Sequence, residues 1–487
     1  MFNLGAVGFF YAILSCVRGS SLQINDTQFA QWPPLYALDD WYQCQRPGDV
    51  YCIVDAALVA DGNSPMLSQL QEYSLDTLKH YNRTQAHRGV CVTRCAGAER
   101  GAPWLDAAAN CLNDSLRPYN LQARVLSVGW CTPTGGGGDP GTWGSRALAA
   151  FSVALLALAL LATTLHVLGD RCANVEGNKY LLAFSLKRNW EILTYDRSKP
   201  RSDERMKDLT AIEGIRFVGM QCVIFSHVMM INIYSYTHNP QYIEKMYDQF
   251  GWQLVMNSPL WLQAFFAMSG FLTTYSVLIT VDKSPITLFK CFMAVVNRWI
   301  RMTPGAGVAL WFTVSWYARL GGGPQWAWQV AREAEDCSTR GWVHLVYAHN
   351  HLPTGKFCMG HTWYLAADMQ LHVIGMLALL VMMKCRRAAA PLLAAMFVGS
   401  SLAAGLVTYF YDVTPIVTGQ SPEALRTLFL GSRVISLLYL PSWMNLAGYS
   451  AGMATAFLLH HVRETGLKLD QNKWFLAAFH GSLHVGG

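Results

Sequence analysis

The chain has 487 residues, of which 52% are hydrophobic and only 14% are charged. That composition excludes an ordinary soluble enzyme and indicates a membrane protein whose chain crosses the bilayer several times. The formal net charge of +6 is spread over the polar segments between apolar stretches, so it favours no nucleic-acid partner.

Residues 1–20 are typical of a cleaved signal peptide. A short apolar core, LGAVGFFYAILSCV, is followed by small residues, although no basic residue precedes it. We therefore expect the mature chain to enter the secretory lumen.

Residues 21–131 are predicted to form one disulfide-bonded extracellular or luminal domain. An even set of six cysteines precedes the first span, which favours three disulfides whose pairing stays open. A zinc site at Cys91 and Cys95 is the less favoured alternative in an oxidising compartment. Three glycosylation sequons fall in the same segment. The six cysteines are Cys44, Cys52, Cys91, Cys95, Cys111 and Cys131. The sequon asparagines are Asn25, Asn82 and Asn113.

The fold of this domain is predicted to be helical, because its stretches ALDDWYQC and SPMLSQLQEYSLDTLKHYN show no strand alternation. Residues 132–146 are rich in glycine and form a flexible linker. Residues 147–168 are a charge-free apolar run that we interpret as an anchor span. A cytosolic loop, 169–210, is expected to separate this anchor from the membrane domain that begins at residue 211.

The span 211–236 is long and apolar enough to cross a bilayer, yet it contains Glu213, Arg216 and His227. Burying an ionisable group near mid-bilayer costs about 3 kcal/mol, so such groups are usually retained for pairing, conduction or chemistry. The span is therefore a candidate for the functional site.

The spacing of Arg216 and His227 puts both on one face of this helix. Their separation is about 20° more than three full turns and roughly 16 Å along the axis. One extended substrate could contact both side chains, and Glu213 could neutralise Arg216. The alternative is that the charged pair snorkels at the end of the span while His227 makes an interhelical hydrogen bond.

Further spans are expected along the rest of the chain. Lys and Arg side chains mark the cytosolic side of a membrane protein. The connecting segments expected on that side hold 19 of them and the opposite segments hold 6. This orientation puts Arg216 near the cytosol and His227 in the outer half. The expected spans are 258–281, 303–320, 362–383, 389–411 and 445–462, with a last one beginning at Trp474.

The stretch NRWIRMTP contains Arg298 and Arg301, three residues apart on one helical face at the expected cytosolic surface. Two neighbouring guanidiniums suit phosphates, because they bind bidentately and keep their charge at any working pH. The alternative interpretation is a positive-inside loop that contacts lipid headgroups.

In the loop expected on the outer side, Cys337 and Cys358 predict a further disulfide that would brace a partly re-entrant, aromatic segment. Four histidines nearby match no closed zinc pattern, so surface or packing roles are favoured and no metal is expected. They are His344, His349, His351 and His361.

The stretch HTWYLAADMQLHV places Asp368 and Gln370 within hydrocarbon depth. A lone intramembrane carboxylate must find a donor or stay protonated, so Asp368 is a candidate partner of His227. The alternative is an interhelical hydrogen bond with no catalytic part. FFAMSGFLTTY, with Ser269 and Gly270, predicts a packing face where two helix backbones come close.

The order of these motifs resembles one known family. EGIR with a histidine eleven residues after its arginine, then FFAMSGFL, NRWIRMTP and the disulfide segment leading into HTWYLAADMQ are similar to the integral-membrane acyltransferase-3 superfamily. The cysteine-bearing N-terminal domain resembles its nose-resistant-to-fluoxetine branch. The resemblance covers nearly the whole chain. It implies more spans than this chain offers, so 211–487 is expected to be an incomplete acyltransferase-3 domain.

The resemblance also implies a role for each matching residue. Arg216 and His227 fall on the superfamily's Arg-x10-His pair, in which the histidine is essential for acyl transfer and the arginine lies on the path of the acyl donor. Arg298 and Arg301 fall on its RxxR motif, which is expected to engage acyl-CoA at the cytosolic face. Asp368 occupies a position where the superfamily commonly has a carboxylate.

The expected protein is an all-α polytopic membrane protein with a cysteine-rich helical N-terminal domain and a transmembrane helix bundle. We expect an acyltransferase of the plasma membrane or endoplasmic reticulum that moves an acyl group from cytosolic acyl-CoA to a hydroxyl or amine acceptor on the luminal or extracellular side. The alternative is a non-enzymatic protein that transports or binds lipids or hydrophobic drugs. LPSWMNLAGYSAGM departs from the branch, with Asn445 and Gly448 where an arginine and a proline are expected.

Overall fold

The structure is a computed structural model of the chain. The expected signal peptide lies outside the residues it describes, as do the middle of the linker and most of the span expected from Trp474. The described residues are 24–98, 103–134, 141–169, 179–194, 209–246, 248–249, 251–253, 257–281, 284–356, 358–413, 421–427, 430–466, 473 and 476–477.

The N-terminal domain is built on a four-stranded mixed sheet, so the prediction of an all-α fold is wrong for this part of the chain. Its elements are α1 (Asp26–Phe29), β1 (Tyr36–Leu38), β2 (Val50–Val59), α2 (Pro65–Tyr73), β3 (Gln85–Cys91), α3 (Leu105–Leu116) and β4 (Gln122–Pro133). The strand order is β1-β3-β2-β4, with β1 parallel to β3 and the other neighbours antiparallel.

Strand β2 shows why the sheet was not foreseen. Its sequence VYCIVDAALV is apolar at almost every position, and most of its residues are buried. Helix α3 packs on the side of Cys52 and Val54, while Trp41 and Trp328 pack on the side of Tyr51. A strand that is covered on both faces shows no alternation of apolar and polar residues.

Helix α2, in contrast, forms where its sequence predicts one. The Ser64 side chain accepts a hydrogen bond of 3.3 Å from the Leu67 amide at its start, and Pro65 occupies the first turn. Both residues are typical of a helix N-terminus, because they satisfy or remove amide groups that have no partner inside the helix.

Disulfides stabilise this domain, as the cysteine count predicts. The pairs are Cys44–Cys91, Cys52–Cys131 and Cys95–Cys111, and a fourth disulfide joins Cys337 to Cys358. Because Cys91 and Cys95 belong to different disulfides, neither offers a thiolate to zinc.

The rest of the described chain is helical. Its helices are α4 (Trp143–Gly169), α5 (Lys179–Leu182), α6 (Leu186–Leu193), α7 (Thr210–Tyr234), α8 (Pro240–Met246), α9 (Ser258–Val281), α10 (Leu288–Ser315), α11 (Arg332–Arg340), α12 (Trp342–Leu345), α13 (Trp363–Lys384), α14 (Ala389–Tyr411), α15 (Pro422–Arg426) and α16 (Leu446–Thr465). Two π-helical segments are Ala327–Ala331 and Ile435–Tyr439.

Within the described residues, five helical segments are long and apolar enough to cross a membrane. They coincide closely with the expected anchor and with four of the expected spans, because a long continuous apolar run is a strong signal. Helix α16 covers the expected span 445–462, although it is not among the five. The five are Trp143–Gly169, Ala211–Tyr234, Ser258–Val281, Gly360–Lys384 and Arg386–Tyr411.

Helix α10 differs from the prediction. We expected a loop through residue 302 and a span at 303–320, but one continuous helix begins at Leu288 and ends at Ser315, with Pro304 inside it. The Thr287 side chain caps this helix by accepting a hydrogen bond of 3.3 Å from the Lys290 amide. The charged residues that suggested a loop therefore lie on a helix of the bundle.

Helices α9 and α16 pack backbone against backbone. A Cβ atom on Gly270 would clash with the carbonyl oxygen of Tyr449, and one on Gly452 would clash with that of Ala267. Small residues allow this close approach, so the packing face predicted at Gly270 is confirmed. The pair lies in the main core of the bundle, together with buried side chains of α13 such as Leu371.

The N-terminal domain contacts the bundle where α7 ends and α8 begins. Glu244 of α8 is 2% exposed and accepts hydrogen bonds of 2.8 Å from the Tyr73 hydroxyl and from the Tyr81 amide. The Tyr36 ring stacks on Tyr236 with 4.8 Å between ring centroids. We call this end of the bundle the N-domain face and the other end the opposite face.

The segment between Cys337 and Cys358 packs into the bundle from the N-domain face. The Trp299 indole donates to the Leu345 carbonyl oxygen over 2.9 Å, and Gln370 donates to the Tyr347 carbonyl oxygen over 2.7 Å. Residues 342–351 therefore contact α10 and α13 directly, below the disulfide that closes the segment.

Candidate active site

Helix α7 carries the first two predicted site residues. Arg216 is exposed and His227 is half-buried. The His227 Nδ1 donates a hydrogen bond of 2.8 Å to the Val223 carbonyl oxygen, one turn earlier. A neutral imidazole has only one N–H, so this bond leaves Nε2 as an acceptor that is able to take a proton.

His227 is paired with a different residue from the one expected. Its ring lies edge-on to His361 at the start of α13, with 6.1 Å between centroids. Among the described contacts of His227 there is none with Asp368, so the proposed partnership of these two residues is not formed. The orientation of the His227 ring comes from its own helix backbone instead.

Asp368 forms an ion pair with Arg298 inside the bundle. The Arg298 side chain is 15% exposed and that of Asp368 is 6% exposed. Arg298 also donates to the Ser269 hydroxyl over 3.1 Å and to His372 Nδ1 over 3.3 Å. The prediction of two guanidiniums side by side at a membrane surface is therefore wrong for Arg298, whose charge is balanced within the protein.

The depth of this pair also differs from the prediction. Arg298 lies roughly 15 Å from the start of α10, and Asp368 lies roughly 24 Å from the end of α13, at 1.5 Å per residue. The first distance is half of a hydrocarbon core of about 30 Å, and the second is most of its thickness. The pair therefore lies inside the bundle, away from its opposite face.

Arg301 lies one turn further along α10 and its side chain is exposed. Its charge nevertheless acts on His372, as does that of Arg298. The Tyr364 hydroxyl is within electrostatic range of Asp368, Arg298 and Arg216. The charges of three guanidiniums and one carboxylate thus act on Tyr364 and His372.

His372 contacts Arg298 and is a further candidate that the sequence did not single out. It is 6% exposed, and Nδ1 also lies 3.3 Å from the Thr273 hydroxyl. The available signal was its position four residues after Asp368, which puts both side chains on one face of α13. Its contact with Arg298 joins positions 74 residues apart in sequence, which no local pattern reveals.

Gln370 and Asn445 have structural roles. Gln370 donates to the Asn350 side chain over 2.9 Å and accepts a hydrogen bond from Ser442. Asn445 is 1% exposed, bonds Gln263, and donates to the Tyr439 and Pro441 carbonyl oxygens. These amides join the loops at the N-domain face to the helices, so neither is available to a substrate.

Two of the loop histidines are stacked and buried. His344 and His349 have ring centroids 3.8 Å apart, and burial lowers the pKa of His344 to about 4. Burial also lowers the pKa of His349. Among the described residues, the one cluster with metal-ligand geometry is Cys44, Asp49 and Cys91, whose cysteines are oxidised to a disulfide.

Comparison with known families identifies the family of this helix bundle. A family model described as "Acyltransferase domain" matches residues 209–480. The chain belongs to this acyltransferase-3 family. The matched region contains Arg216, His227, Arg298, Arg301 and Asp368, and the family expected from the motifs is confirmed.

The acyltransferase-3 chain is also similar to a curated protein, "Nose resistant to fluoxetine protein 6" of Caenorhabditis elegans. The two are 28% identical over 309 residues, which cover 58% of this chain and 35% of the relative. The chain thus spans about a third of the length of that relative. No solved structure matches the chain.

Proposed function

We propose that the bundle transfers an acyl group from acyl-CoA on its opposite face to a hydroxyl or amine that arrives from the N-domain face. The observation that carries the proposal is His227, an imidazole with an accepting Nε2 inside a domain of the acyltransferase-3 family. The four disulfides support an oxidising compartment on the N-domain side. The opposite face would then be cytosolic.

Arg216 and Arg301 are the cations best suited to the donor's phosphates. Both side chains are exposed, and their charges act on Tyr364 and His372 respectively. Arg298 has a different part, because Asp368 already compensates its charge. It positions the neighbouring groups instead of competing for a phosphate.

His227 acts as the general base. Its Nε2 takes the proton of the acceptor hydroxyl or amine as the acceptor oxygen or nitrogen attacks the thioester carbon. The tetrahedral intermediate then expels the CoA thiolate, and the imidazolium returns the proton to that sulfur. Since Nδ1 is bonded to the backbone, the ring cannot turn and the accepting nitrogen keeps its direction.

The test is acyl transfer from labelled acyl-CoA in membranes that contain the chain, with His227→Ala as the variant. A lost general base reduces the rate about 10²–10⁴-fold. Asn232→Ala is the matched control, since Asn232 is an exposed residue of the same helix that bonds only its own backbone in the described contacts. Transfer that is undiminished in His227→Ala would remove this residue from the mechanism.

The same experiment tests the alternative function, in which the protein transports or binds lipids or hydrophobic drugs and uses no acyl-CoA. Such a protein would bind its cargo without consuming the thioester. Wild-type membranes that release no CoA thiol above the level of control membranes would support that class over the transferase.

A further inference from the structure

Three buried polar atoms around the Arg298–Asp368 pair have no hydrogen-bond partner among the described residues. They are Arg298 Nε, Asp368 Oδ1 and His372 Nε2. Buried polar groups in proteins are nearly always hydrogen-bonded, because an unpaired one loses its hydration without compensation. Arg298 contacts both other residues, so the three side chains form one cluster in which each has one polar atom without a partner.

The chemistry of each atom follows from the contacts around it. Arginine only donates hydrogen bonds, so His372 Nδ1 must accept from Arg298, and the proton of the neutral ring is on Nε2. Asp368 is paired with the guanidinium through Oδ2, and its Oδ1 is an acceptor. The cluster therefore offers two N–H donors and one carboxylate oxygen.

A secondary amide has hydrogen-bonding groups that match these donors and this acceptor. Its carbonyl oxygen accepts from an N–H group such as that of His372 Nε2, and its own N–H donates to the carboxylate oxygen. The arm of acyl-CoA, which joins the phosphates to the thioester, contains secondary amides. We infer that Arg298, Asp368 and His372 bind an amide of this arm.

The position of the cluster suits that ligand. The positive charges of Arg301 and Arg216 act on the same region, where the phosphates would approach. His361, the neighbour of His227, lies in the short 3₁₀ turn before α13, seven residues ahead of Asp368 and roughly 10 Å from it along the helix axis. An arm held at the cluster therefore leads from the cations toward the proposed base. This inference rests on the proposed function, since it takes acyl-CoA as the donor.

The test measures two affinities of the purified full chain. One is for CoA, and the other is for phosphorylated adenosine diphosphate, the half of CoA that lacks the arm. In the wild type, CoA should bind about tenfold more tightly than the nucleotide half, as one well-made set of buried hydrogen bonds allows. Isothermal calorimetry in detergent gives both affinities without requiring an acceptor or turnover.

Two substitutions of His372 separate ligand binding from support of Arg298. His372→Gln places an amide N–H near the position of Nε2 and should keep the preference for CoA. His372→Asn places a carbonyl oxygen near the position of Nδ1, which preserves the contact with Arg298 but removes the Nε2 donor. It should lose the preference, while binding of the nucleotide half stays unchanged.

The opposite pattern, with Asn preserving and Gln losing the preference, would show that His372 only supports Arg298 and would overturn the inference. Equal affinity of the wild type for CoA and for the nucleotide half would overturn it too, but would leave the proposed donor intact. Failure of the wild type to bind either molecule would overturn the proposed function as well. Arg301→Ala should weaken both probes to the same extent.

Discussion

Two buried carboxylates distinguish the domain junction from the interior of the bundle. Glu244 at the junction is 2% exposed, and both of its oxygens accept hydrogen bonds, from the Tyr73 hydroxyl and the Tyr81 amide. The Arg83 guanidinium lies 3.7 Å from one of them. Asp368 in the bundle is 5% exposed, but only its Oδ2 is bonded.

The difference distinguishes a fully bonded carboxylate from one that retains a free acceptor oxygen. A buried carboxylate whose oxygens are all satisfied holds two parts of a protein in one arrangement and leaves nothing for a ligand. A buried carboxylate with one oxygen free is costly to keep, and such groups collect at functional sites. Both oxygens of Glu244 are therefore used within the protein, whereas Asp368 retains one acceptor oxygen.

Asp368→Asn should have the largest effect. It leaves the buried Arg298 charge uncompensated, so we expect a loss of about 3–5 kcal/mol in the free energy of unfolding. Acyl transfer should fall at least about 100-fold, as for the loss of an important active-site interaction. Thermal unfolding measures the stability and labelled acyl-CoA measures the transfer rate, both on the same preparation.

Asp412→Asn is the control for this change, because Asp412 is exposed at the end of α14 and asparagine tolerates its left-handed conformation. If Asp368→Asn destabilised the protein but left the transfer rate of the folded fraction unchanged, Asp368 would be a structural charge like Glu244.

Glu244→Gln should disturb the junction and not the chemistry. It removes the charge opposite the buried Arg83, and we expect a loss of about 3 kcal/mol in unfolding free energy. Limited proteolysis should release the N-terminal domain sooner, while the folded protein keeps its transfer rate. Glu335→Gln, at an exposed position of α11, should change neither quantity. A folded Glu244→Gln protein without transfer would make the junction part of the site.

Substitution of Gly452 tests the packing that holds the bundle in place. An alanine there meets the Ala267 carbonyl oxygen, so overpacking should cost about 1–3 kcal/mol of unfolding free energy. Gly399→Ala on α14 is the matched control, since its Cβ meets nothing within 4 Å and alanine favours a helix by about 1 kcal/mol. Equal effects of the two substitutions would contradict the close approach of α9 and α16.

The two regions should also respond differently to pH. The pKa of His344 falls to about 4 in the folded bundle, against about 6.5 in the unfolded chain, so the unfolded state binds more protons between these values. The unfolding free energy of the bundle should therefore decrease by about 2–3 kcal/mol as the pH falls from 6.5 to 4. His344→Gln should reduce this slope in a pH series of unfolding measurements, and His349 should account for a smaller slope that remains.

The N-terminal domain should lose stability only at lower pH. Burial opposes ionisation of Asp55, but hydrogen bonds from His87 and Ser127 outweigh it and lower the pKa of this carboxyl. A lowered folded pKa gives stability that is present above the unfolded value of about 3.9 and is lost below it. A domain that unfolds between pH 6.5 and 5 would contradict this order.

The sequence predicted features that depend on long runs or simple counts. Continuous apolar length located the five membrane-spanning candidates, and an even cysteine count indicated disulfides. The sheet was missed because β2 is covered on both faces, which removes the alternation that identifies a strand. Disulfide pairing was not readable, since it depends on how distant segments meet.

Residue type in the sequence indicated candidate site residues, but not how they are arranged. Ionisable residues in apolar helices identified Arg216, His227 and Asp368, because their cost requires a compensating role. Their partners were not predictable: Asp368 pairs with Arg298 across 70 positions, and His227 is oriented by its own helix. His372 was overlooked because a histidine next to apolar residues has no distinctive pattern.

The most direct measurement is a cryo-electron microscopy map of the full chain with a non-hydrolysable acyl-CoA analogue. The account predicts the phosphates near Arg301 and Arg216, an amide of the arm at Asp368 and His372, and the carbon that replaces the thioester carbon facing His227 Nε2. An analogue bound away from the bundle interior, or a His227 ring directed into lipid while the analogue is bound, would contradict it.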